Sequence, residues 1–124
     1  MSQVPNPALN IPERDLVNFA AKAAGLTIEW PRVDDMPPSI MPQFAYWRPR
    51  THGDDALALS AALNIQIEYS GPSGGVVTEV NCYPRGRSDC LVSLPIEDDK
   101  VAATRMAIFY SAVLLGMSLS DKID

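Results

Sequence analysis

Residues 65–94 read IQIEYSGPSGGVVTEVNCYPRGRSDCLVSL, and the architecture is written most plainly there. Ile65, Ile67 and Tyr69 alternate with Gln66 and Glu68, the period of a strand with one apolar face. Pro72, Gly74 and Gly75 mark a turn. Val76, Thr78, Val80 and Cys82 then share one face against Val77, Glu79, Asn81 and Tyr83. Beyond a second turn at 84–89, Cys90, Val92 and Leu94 continue the apolar face. Three strands joined by short turns predict an antiparallel meander.

Working outward toward the C-terminus, Pro95 ends the sheet and Asp98 or Asp99 caps a final helix over 100–116. That helix is apolar almost all round, so either the rest of the fold or a second copy must cover it from more than one side. Upstream, Thr51 and Asp54 suggest a capping box opening a short helix that closes near Asn64. From Pro31 to Pro49 five prolines leave neither a helical nor an alternating period, which predicts a long loop and a first place to seek a binding surface. Leu26 to Trp30 alternates as a short strand. Before it, Leu16, Phe19, Ala20 and Ala23 recur at helical spacing between Asn10 and Gly25. The expected fold is α+β, a three-stranded antiparallel meander packed with helices in the order helix, strand, loop, helix, three strands, helix. Residues 1–9 are expected to form a flexible arm, 10–119 one small sandwich domain, and 120–124 a tail.

At 124 residues the chain has room for a single core. Ten Lys and Arg against fifteen Asp and Glu leave a net charge of -5, which argues against general affinity for nucleic acid or anionic membranes. The start, MSQVPNP, lacks the features of a secretory signal, and the polar interruptions of the apolar run from Val101 to Leu119 argue for a buried helix over a membrane span. Two cysteines and one histidine offer no zinc set, so no metal or cofactor is expected. The expected compartment is the cytoplasm.

Two stretches carry a resemblance: Ala20–Gly25 running into Glu29-Trp30-Pro31, and Trp47-Arg-Pro-Arg50 followed by Asp54-Asp-Ala-Leu-Ala-Leu59. With Ala102-Ala-Thr-Arg105-Met-Ala in the last helix, they make the chain similar to the small phage-encoded proteins of the phage α-β-α sandwich domain and to lambdoid proteins of the Nin X type. The resemblance implies phage or prophage origin and carries no catalytic residues with it.

The segment from Tyr46 to His52 holds two aromatics, two arginines and the sole histidine of an acidic chain. Trp and Arg dominate binding energies, and a guanidinium grips carboxylate or phosphate at two points. Tyr46, Trp47, Arg48, Arg50 and His52 are therefore the candidate binding residues, with Arg85 and Arg87 of the second turn as additions to the same patch. The alternative is that Trp47 plugs the core while the arginines are solvated. Cys82 and Cys90, symmetric about Gly86, would face each other if the hairpin paired evenly, and the reading preferred is two buried thiols. Asp54-Asp55 and Glu97–Asp99 sit where helices begin, so capping explains them better than acid–base chemistry.

These features rank a non-enzymatic phage accessory protein that binds a host or phage protein first, as a modulator of host functions or defence. A binder of a small anion or nucleotide through the Arg/Trp loop comes second, and a small hydrolase last. Self-association as a two-fold dimer is expected from the apolar last helix.

Overall fold

The chain enters its first helix at Pro12, whose φ of −55° and missing N–H are tolerated at a helix edge. The computed structural model describes residues 12–32, 36–41, 45–72 and 76–121. Asn10, where the expected helix opens, the arm expected over 1–9 and residues 122–124 lie outside the described residues. Helix α1 (Glu13–Ala24) carries Glu13 and Asp15 in its first turn and Lys22 in its last, each sign matching the helix dipole. Gly25 closes it at φ 72°, where the amides of Gly25 and Leu26 bond back to Lys22 and Ala21.

The expected strand over 26–30 shrinks to β1 (Ile28–Glu29), and the expected structureless segment 31–49 contains β2 (Ser39–Ile40) and β3 (Ala45–Tyr46). These form a small antiparallel sheet in the order β1-β2-β3, with Ile28 beside Ile40 and Ser39 beside Tyr46. Strands of two residues are too short to display a period. The prolines flank them instead of interrupting them, so no ladder donor is lost.

Helix α2 (Gly53–Leu63) starts without the expected capping box. The Thr51 hydroxyl lies 2.8 Å from His52 Nδ1, and no side chain caps the helix. Asn64 ends it in the left-handed region, φ 52°. Then come β4 (Ile65–Ser70), β5 (Glu79–Pro84) and β6 (Val92–Pro95), a second antiparallel sheet in the order β4-β5-β6. The second strand begins at Glu79, not Val76, and the third at Val92, because Ser88–Cys90 coils into a 3₁₀ turn. That turn shifts the pairing by two residues: Cys82 lies opposite Val92, not Cys90, and both cysteines are free and buried.

Helix α3 (Lys100–Asp121) opens with the Asp99 carboxylate accepting the Ala102 amide at 3.0 Å and runs past the expected end at 116. By length and composition, residues 100–119 could cross a membrane. In this fold the helix packs against α1, against α2 and against the face of β5 and β6, an arrangement compatible with a soluble protein. Val80, Cys82 and Val92 from the sheet meet Ala107, Phe109, Ala112 and Val113, and on the α1 side lie Leu16, Val17, Ala20 and Ala21. Each large apolar side chain buried here contributes about 1.5–3 kcal/mol. From Ala107 to Val113 the helix is thus covered on two sides within one chain. The opposite face of the sheet is polar, with Tyr83 donating to Glu68 at 2.9 Å and Ser93 to Asn81 at 2.6 Å.

Candidate functional site

The first turns of α1, the chain after β1 and the segments flanking β2 and β3 enclose a cleft of about 550 Å³. Its arginines are Arg14, Arg48 and Arg50, its aromatic walls Trp30 and Trp47, and its acid Glu13. Met36, Pro37 and Pro38 add an apolar side. The Trp47 amide donates to the Pro38 carbonyl at 3.0 Å, which ties two of the walls together.

Each arginine is held differently. Arg14 stands with Cζ 4.7 Å from the Trp30 ring centre, while the indole N–H donates to Asn18 Oδ1 at 2.8 Å, so Trp30 is fixed at edge and face by two residues of one helix face. Arg48 lies 5.6 Å from the centre of the Tyr46 ring, and its amide donates to Asp55 Oδ2 at 2.7 Å, which pins the loop to the first turn of α2. Arg50 pairs with Glu13 at 2.7 Å, lies 5.7 Å from the Phe109 ring centre, and receives Arg105 Nε on its carbonyl. Its own Nε is buried with no hydrogen-bond partner among the described residues. Among the described residues, Arg14 and Arg48 have aromatic rings behind them and no ion-pair partner.

Of the residues expected to bind, Trp47, Arg48 and Arg50 line the cleft; Tyr46 supports Arg48 from outside its wall, half-exposed. Trp47 is only 3% exposed, so its ring belongs to the core cluster as well as to the cleft. His52 sits at the start of α2 against Thr51 and does not line the cleft. Arg85 and Arg87 are not brought into it. Arg87 grips Asp89 with two 2.9 Å bonds and donates to Ser118, about 13 Å along α3 from the Phe109 that Arg50 stacks on. Sequence reading missed Arg14 and Trp30, whose meeting depends on where β1 turns back over α1.

A second cleft, of about 440 Å³, opens at the start of α3 and is rimmed by Glu97, Asp98 and Asp99. Its charge is opposite to that of the first. Elsewhere, burial pushes the Cys82 thiol up to about 12, and burial together with nearby Asp89 raises that of Cys90. Both are protonated near neutrality and poorly suited to nucleophilic attack.

No family model, curated protein or solved structure matches the chain.

Proposed function

We propose that this is a non-enzymatic binding protein whose Arg14–Trp30–Trp47–Arg48 cleft takes a small anionic ligand with a planar body, of the nucleotide kind. The observation that carries the reading is that two arginines reach one concave, tryptophan-walled cleft with no carboxylate partner among the described residues, in a chain of net charge -5. Aromatic walls suit a flat body and guanidinium forks suit its charge. The concave form favours this ligand over a protein partner, which would dock on a flatter surface. A role as a phage-encoded accessory protein rests on the short motifs quoted above. Two buried thiols suit a cytoplasmic setting, with β4 to β6 read as a meander sandwiched with the helices as scaffold.

Trp30 and Trp47 are the only tryptophans and both line the cleft, so intrinsic fluorescence reports its occupancy. Titration with ADP is expected to give a saturable change that Arg14→Ala or Arg48→Ala weakens about tenfold or more, the scale of one lost charged contact. Pyrophosphate alone and adenosine alone should each bind more weakly than ADP. No saturable response to any of the three, or a response indifferent to both arginine changes, would sink the reading.

A further inference from the structure

We propose that the open edge of strand β4 pairs with the same edge of a second copy of this chain, antiparallel and centred on Ile67, joining two three-stranded sheets into one of six. The inference stands apart from the cleft and starts from backbone direction. The Arg85 amide donates to the Asn64 carbonyl, and the Thr78 amide to that of Ser70, so at both ends of β4 the even-numbered residues turn their carbonyls toward β5. Antiparallel pairing alternates. Gln66 and Glu68 therefore face β5 as well, and Ile65, Ile67 and Tyr69 present their amides and carbonyls outward. Among the described residues no strand pairs with that side, and these three make no backbone bond outside their own sheet. Gln66 to Ser70 are all exposed, Ile67 at 39% and Tyr69 at 40%, which is high for apolar side chains on the face that meets the core. The strand itself contains neither proline nor lysine, the usual devices against pairing, although Lys100 of α3 lies over the Tyr69 ring, 4.2 Å from its centre. The other edge, β6, is four residues long, ends in Pro95 and is better covered.

A second copy fits because the strand is complementary to itself when centred on Ile67. Centring on Ile67 places Ile67 opposite Ile67 and Ile65 opposite Tyr69, so the outward groups of these residues bond reciprocally across the axis. On the polar face Glu68 then meets Gln66. Shifting the centre to Glu68 would still bond Ile67 to Tyr69 but would set two carboxylates face to face across the axis, so that register is disfavoured. One strand pair is a small interface, which makes the dimer concentration-dependent.

Sedimentation from low micromolar to submillimolar concentration should show the 13.5 kDa chain passing to twice that mass. Amide exchange over the same range should show Gln66, Glu68 and Ser70 protected throughout, and Ile67 and Tyr69 protected only at high concentration. Gln66→Glu sets an added carboxylate against Glu68 twice per dimer and should weaken it about tenfold, whereas Gln66→Lys should tighten it comparably. Ile67→Lys, with two lysines meeting at the axis, should also dissociate it; thermal melts check that each variant folds. A chain that stays monomeric overturns the proposal: odd amides protected at every concentration would assign the edge to the chain's own remaining residues, and odd amides always exchanging would leave it to a foreign strand. A dimer indifferent to both Gln66 changes and to Ile67→Lys overturns it too, by placing the interface elsewhere.

Discussion

Trp47 belongs to the core and to the cleft at once, and that double position separates its role from those of its neighbours. With its ring 3% exposed, Trp47→Ala should lower stability by about 3–5 kcal/mol in urea unfolding, as large aromatic truncations do. Arg48→Ala should leave stability nearly unchanged, because the loop is anchored through the Arg48 backbone amide and Asp55, which the substitution retains. Cys82 sets a pH window. Its thiol ionises near 9.0 in the unfolded chain and, through burial, near 12 in the fold. Below 9.0 both states hold the proton and it contributes no slope. Between 9.0 and 12 the unfolded chain releases a proton that the fold retains, so stability falls as pH rises through that window. Urea midpoints across the range check this, and Cys82→Ala should reduce the slope without abolishing it, since Cys90 is raised in the same direction.

Among the elements, the approach of α1 to α3 hinges on Gly116. A Cβ there would fall on the Phe19 carbonyl, so the two backbones meet only because that position has no side chain. In an exposed helix, Gly→Ala would gain up to about 1 kcal/mol through propensity. Here Gly116→Ala should instead cost about 1–3 kcal/mol, because the helices must separate and the contacts of Phe109, Ala112 and Val113 loosen with them. Calorimetric melts measure the sign directly. The same packing explains why an apolar helix does not by itself require a second copy: α1 covers one side and the sheet another. Among the described residues, an unpaired strand edge lies at β4.

For the molecule as a whole, a net charge of -5 and a cleft lined by three arginines are compatible because the charges are segregated. Glu97, Asp98 and Asp99 gather at the start of α3, and Asp54 and Asp55 at the start of α2, where helix dipoles stabilise them. Anion binding in the cleft should accordingly weaken as salt rises, since Arg14 and Arg48 are exposed and screening acts over about 8 Å at physiological ionic strength. Repeating the ADP titration across a salt series reads this out.

Patterns of one or two turns of chain were legible from residue order alone. Alternation in Ile65–Tyr69 and around Val80, the helical spacing of Leu16 to Ala23, the stop at Gly25 and the carboxylates before Lys100 depend on periods and caps that neighbouring residues impose on each other. The cluster Trp47, Arg48 and Arg50 was visible for the same reason, being contiguous. What escaped was set by distance. The strands inside 31–49 are stabilised by pairing with β1 and carry no period of their own, and the two-residue offset of Cys82 from Cys90 follows from how a turn coils against the core. Arg14 and Trp30, sixteen residues apart, share a cleft only because β1 turns back over α1, whereas Arg85 and Arg87, equally basic, are carried to another part of the surface. Residue order determined the three helices, the longer strands and where charge would cluster. Tertiary packing alone decided which arginines meet, because convergence depends on the path of the backbone between them, and no local period records that path.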